Sequence, residues 1–100
     1  MTLRRDDVIE KLKQHEGAIR ALGAQSLYLY GSCARDEAGG ASDVDLFFDR
    51  QANTKLGLIE LARMREFLEK LLGTDVDIGT RTSLHPVLKT GIESKALRVF

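Results

Sequence analysis

The stretch "SDVDLFFD", residues 42 to 49, places aspartates two apart, at 43 and 45, in a run that continues strongly apolar. Aspartate is a poor strand former, so carboxylates inside such a run work against local propensity unless a function requires them there. Residues two apart on a strand point to the same face and lie roughly 6.5 to 7 Å apart. Asp43 and Asp45 therefore face one way, and Val44, Leu46 and Phe48 face the other, where helices can cover them. The run "TDVDI" repeats the arrangement, with Val76 and Ile78 inward and Asp75 and Asp77 on the acidic side. If the two strands are neighbours, like charges crowd one surface and raise one another's pKa unless a divalent cation neutralises them. Hard carboxylate oxygens suit Mg2+, which takes one or two carboxylates and completes its shell with water and substrate phosphates.

The rest of the chain supplies a small α/β (α+β) frame for that surface. Leu3, Val8, Ile9, Leu12, Ile19 and Leu22 recur at helical spacing, which predicts one amphipathic helix over 3–22 closed by Gly23. "SLYLY" alternates and reads as a strand ending at Gly31, with a short helix expected from Ser32. Asp43 to Phe48 forms the second strand, antiparallel to or beside the first. Asn53 or Thr54 is expected to cap a long helix through Leu58, Leu61, Leu68 and Leu72, which Gly73 ends. "TDVDIGT" is the third strand, and Ser83 is expected to cap a last helix with Pro86 in its first turn. The expectation is a single domain over 1–100 with helices packed on one face of a small mixed sheet.

Composition limits the partners. Fifteen basic and fifteen acidic residues are interspersed, without the basic stripe of a nucleic-acid binder, so no direct nucleic-acid contact is expected. No apolar run is long enough to span a bilayer, and "MTLRRDDVIEKLK" lacks the apolar core of a signal peptide. A single cysteine excludes an internal disulfide framework. A cytoplasmic protein with no membrane association is expected.

Between the two strands, "YGSCAR" completes a composite. Glycine lets a phosphate approach the backbone, and a helix starting at Ser32 would present N–H groups and a hydroxyl to an anion. A Gly-Ser pair alone is usually a turn, and an Asp-x-Asp pair alone is usually solvated. The combination of strand, Gly-Ser, ten intervening residues, Asp-x-Asp in an apolar strand and a later strand aspartate is far more specific. Other residues read as structural. Cys33 suits packing, since no His and Asn partners for a cysteine hydrolase are identifiable, and neither His15 nor His85 has a partner at metal-ligand spacing. Asp49 shares the face of Asp45 but lies roughly 13 Å further on, where a turn residue is expected. Tyr28, Tyr30 and Phe47 are expected to form an exposed patch on the face away from the helices, suited to partner docking.

The composite resembles the nucleotidyltransferase superfamily that includes DNA polymerase beta and the kanamycin nucleotidyltransferases. "YGSCARDEAGGASDVDLFF" is most similar to the G-S-x-A-R-G-x-x-x-x-x-S-D-x-D-L signature of the minimal nucleotidyltransferases, the antitoxin partners of HEPN toxins, and "VDIGTRTSLHPVLKTGIESKAL" extends the likeness over nearly the whole chain. Asp36 departs from the pattern, standing where the family usually has glycine. The resemblance implies Mg2+-dependent transfer of AMP from ATP to a hydroxyl, expected to be a tyrosine, of a HEPN-type helical toxin. It implies Gly31 and Ser32 as triphosphate binders, Asp43 and Asp45 as metal ligands and Asp77 as the third catalytic carboxylate. Arg35, in the Ala-Arg of the signature, suits phosphate contact or bracing of the carboxylates. The alternatives are a non-catalytic antitoxin or nucleotide-binding module that neutralises its partner by contact, and modification of a small molecule, against which the missing second domain is expected to argue.

Overall fold

The computed structural model describes residues 4–34, 44–52 and 55–100. Two short helices, α1 (Arg5–Gln14) and α2 (Glu16–Ala21), lead into strand β1 (Ala24–Tyr30), a single helical turn α3 (Gly31–Ala34), and strand β2 (Val44–Arg50). Helix α4 (Leu58–Leu72), strand β3 (Val76–Thr80), a 3-10 turn at Arg81–Ser83, helix α5 (Pro86–Lys95) and a two-residue strand β4 (Leu97–Arg98) follow. The sheet order is β3-β2-β1-β4. β1 runs antiparallel to both β2 and β4, whereas β2 and β3, joined through α4, are parallel. This is the expected mixed sheet.

Alternation along the strands builds the core. Leu27 and Leu29 of β1, Val44, Leu46 and Phe48 of β2 and Val76 and Ile78 of β3 are buried together with Val8, Leu12 and Ile19 of the N-terminal helices and Met64, Leu68 and Leu72 of α4. Burying each such side chain is worth about 1.5–3 kcal/mol, so this layer fixes the strand register. Cys33 is buried in the same cluster, as its packing role requires.

The helix boundaries depart from the expected ones for identifiable reasons. One helix over 3–22 is instead two, broken at His15 (φ −111°, ψ 21°). The Lys11 carbonyl, which would accept the helical bond from the His15 backbone, accepts from the His15 ring at Nδ1 instead (2.9 Å), and the His15 N–H turns to the Leu12 carbonyl. A side chain has displaced a backbone bond. Asn53 and Thr54 lie outside the described residues, and α4 begins later, with Gly57 as its N-cap and Glu60 accepting from the Gly57 N–H at 3.0 Å. Gly73 ends α4 in the left-handed conformation, φ 70°, as expected. Ser83 does not cap α5. Its hydroxyl donates to the Thr80 carbonyl within the 3-10 turn, and His85 caps the helix by accepting the Val87 N–H at Nδ1 (3.2 Å), with Pro86 in the first turn.

Candidate active site

The sheet face turned away from α1 and α4 is organised as cross-strand rows. Tyr30 of β1 pairs in register with Asp45 of β2, and Asp45 with Asp77 of β3. Neighbouring strands lie about 4.8 Å apart, so these three residues form one row on one face, a phenol followed by two carboxylates. The parallel pairing of β2 and β3 creates this proximity: residues 45 and 77 are far apart in sequence and meet only because the core layer beneath holds both strands in register.

Gly31, directly after β1, has φ 77°, a left-handed conformation that favours glycine. A Cβ at that position would collide with the Asp45 carboxylate. The turn and the acid are thus packed against each other, and only a residue without a side chain permits it. α3 is four residues long and starts at Gly31 rather than Ser32, so any anion anchoring here rests on one turn of backbone rather than on an extended helix. Ser32 lies in this turn. Arg35 and Asp43 lie outside the described residues.

A cleft of about 360 Å3 opens over the row, bounded by Tyr30, Asp45 and Asp77 on the sheet side and by Ser83, His85 and Leu88 on the other. Burial, and then the charges of Asp77 and Asp45, raise the Tyr30 pKa to about 12. The phenol is uncharged at neutral pH, as it would be without the shift. Asp75 is elsewhere. It lies before β3 begins, its carbonyl accepts from the Val44 N–H at 3.1 Å, and it lines a separate concavity with Glu69 and Lys70 at the end of α4.

The next row carries Tyr28 against Phe47, their rings stacked at 4.8 Å and 10°. Here the expected exposed patch is overturned: Phe47 is only 1% exposed. Tyr30 lies against its ring at 5.7 Å, and the guanidinium of Arg81 covers both Phe47 (5.0 Å) and Tyr28 (4.8 Å). Arg81 leaves the end of β3 and reaches the third row. There it grips Asp49 with Nε and Nη2 (2.8 and 3.0 Å), and its Nη1 donates to Glu93 of α5 at 2.6 Å. Asp49 also accepts from the buried Ser26 hydroxyl at 2.7 Å. Asp49 is therefore a strand residue in a half-buried polar bridge, not the turn residue its position suggested. The Arg81 hydrogen bond, aided by Ser26, lowers the Asp49 pKa against the opposing effect of burial. Through Glu93 the bridge ties α5 to the sheet beside the cleft. The sequence held a signal for this cluster, since Asp49 falls on the same alternation as Asp45 and Phe47, but nothing local to Arg81 or Glu93 marks them as partners.

Two carboxylates side by side on one face, with the glycine turn against one of them, are suitable oxygen donors for a hard divalent ion. Among the described residues no third metal-binding side chain joins them. Residues 6–99 match the family pattern described as a nucleotidyltransferase domain. The chain belongs to the nucleotidyltransferase domain family. This nucleotidyltransferase is 33% identical over 95 residues to a Methanocaldococcus jannaschii protein provisionally named a protein adenylyltransferase, covering 93% of this chain and 95% of that one. A solved structure described provisionally as a minimal nucleotidyltransferase superposes with a TM-score of 0.80 at 28% identity, covering 95% of each chain. The fold is also shared, at TM-score 0.65 and 19% identity over 92% of this chain and 71% of the other, with a structure of a tri-AMPylated Shewanella oneidensis HEPN toxin in complex with its MNT antitoxin.

Proposed function

We propose that this nucleotidyltransferase transfers AMP from ATP to a tyrosine hydroxyl of a HEPN-type helical toxin, and so acts as that toxin's antitoxin. The observation that carries the reading is the in-register pair Asp45 and Asp77 beside the Gly31 turn. Gly31, Ser32 and Arg35 bind the triphosphate, and Asp43, Asp45 and Asp77 hold Mg2+. When bound, Mg2+ offsets the crowded negative charge of carboxylates and phosphates and makes the α-phosphorus more electrophilic. The acceptor oxygen forms a bond to the α-phosphorus, the bond to the β-phosphate oxygen breaks, and pyrophosphate leaves. Asp77, on the edge strand that borders the open cleft, takes the proton from the acceptor hydroxyl.

The shared fold with a nucleotidyltransferase bound to an AMPylated toxin and the likeness to a protein adenylyltransferase support this choice of acceptor class. The test is intact mass spectrometry of a helical partner protein after incubation with the chain, ATP and Mg2+. A gain of one or more AMP groups, mapped to tyrosine and absent with Asp45→Asn, is expected. A partner that is bound and silenced without any gain in mass would replace the catalytic reading with neutralisation by contact.

A further inference from the structure

The cleft over Asp45 and Asp77 has a second arm. A hollow of about 300 Å3 lies between the Gly31 turn and α5, and it shares Tyr30, Leu88 and Ile92 with the first cleft. The two arms differ in chemistry. The first is walled by Asp77, Ser83 and His85, and none of its described lining residues is a lysine or arginine. The second offers the Gly31 backbone, the apolar side of α5 at Val87 (81% exposed) and Leu88 (58% exposed), and the ammonium of Lys95 in the last turn. Lys95 makes no ion pair among the described residues. Gly91 forms part of this arm in the middle of α5, where glycine costs a helix stability relative to alanine. Among the described residues outside its own turn of helix, a Cβ there would meet no atom within 4 Å, so their packing does not account for the glycine.

A nucleoside triphosphate joins a flat, largely apolar base to a polyanionic tail, and the second arm matches both halves. We infer that the nucleotide lies in the arm between Gly31 and α5, its base against Val87 and Leu88 over Gly91 and its terminal phosphates held by Lys95, which leaves the Asp77–His85 arm to the acceptor. The assignment rests on the nucleotidyltransferase reading and adds to it a specificity wall and a phosphate-binding residue.

Calorimetric titration of the intact chain with ATP and with AMP, in buffer containing Mg2+, tests it. Lys95→Ala should weaken ATP binding about tenfold, equivalent to about 1.4 kcal/mol, while AMP affinity stays within about twofold. Lys95→Arg should restore ATP binding, and Lys89→Ala, on the same helix but lining neither arm, should match the wild type. Gly91→Leu should weaken both nucleotides without lowering the melting temperature, since the added side chain enters the arm rather than the core. ATP affinities of Lys95→Ala and Gly91→Leu equal to that of the wild type would overturn the assignment and leave the nucleotidyltransferase reading standing. A wild-type chain that binds no nucleotide would overturn both.

Discussion

Replacing Asp49 with asparagine keeps the shape of the polar bridge and removes its central charge. Asp49 and Arg81 are 34% and 29% exposed, between a surface pair worth about 0–1 kcal/mol and a buried pair whose breakage costs about 3–5 kcal/mol. Their two-pronged contact at 2.8 and 3.0 Å, with Ser26 donating to the same carboxylate, places the expected loss at about 1–2 kcal/mol after discounting for solvent. Arg81→Met should cost more, about 2–3 kcal/mol. It strands both Asp49 and Glu93 and removes cation–π contacts of about 0.5–1 kcal/mol each over Tyr28 and Phe47. In a domain of this size that is a fall in melting temperature of about 10 °C or more. The sign with pH follows from the lowered Asp49 pKa. Arg81 stabilises the charged carboxylate in the folded state, so the contribution is fully present above the unfolded value of about 3.9 and is lost as pH falls through the lower folded value. Urea unfolding at pH 7 should show the full gap between wild type and Asp49→Asn, and the gap should shrink as the pH is taken below about 4. A gap under about 0.5 kcal/mol at pH 7, or one that persists unchanged in acid, would refute the bridge as a stabilising element.

Asp45→Asn and Asp77→Asn should each abolish AMP transfer, with melting temperature in the absence of metal unchanged or raised because charge crowding is relieved; wild-type transfer rates in either would exclude the metal role. Asp75→Asn, outside the cleft, should leave transfer intact. Gly31→Ala should destabilise the chain by more than the about 1–2 kcal/mol of left-handed strain, because its Cβ also strikes Asp45, and should end transfer. Gly73→Ala, with a similar φ but no described atom within 4 Å of the added Cβ, should show the strain alone in thermal melts and keep its activity. Phe47→Ser should lower stability by about 3–5 kcal/mol in urea titrations, as expected of a buried aromatic; a loss under about 1 kcal/mol would mean the ring is not buried in solution.

The alternation in "DVDLFF" made the sheet legible, because a period of two assigns every residue to a face at once and the apolar set Val44, Leu46 and Phe48 can only be the core side. The same logic brought Asp45 and Asp77 to one surface. It did not disclose Phe47, whose burial depends on Arg81, a residue 34 positions later that approaches through tertiary structure. The break at His15 escaped for a related reason. Apolar spacing continues through the N-terminal pair of helices, and the competing bond from the imidazole to Lys11 leaves no mark on periodicity. Caps were legible where the backbone needed glycine, at Gly73, and illegible where the capping group was an unusual one, the imidazole of His85.

The strand that carries Asp77 stands at the rim of the sheet, and among the described strands it pairs with β2 only. Rim strands open more readily than central ones in hydrogen-exchange experiments, and such local opening precedes global unfolding. If β3 frays from β2, Asp77 separates from Asp45 while β1, β2 and most of the core beneath them stay assembled. Loss of catalytic competence on warming should therefore run ahead of loss of the fold, and the amides of 76–80 should exchange before those of 27–30.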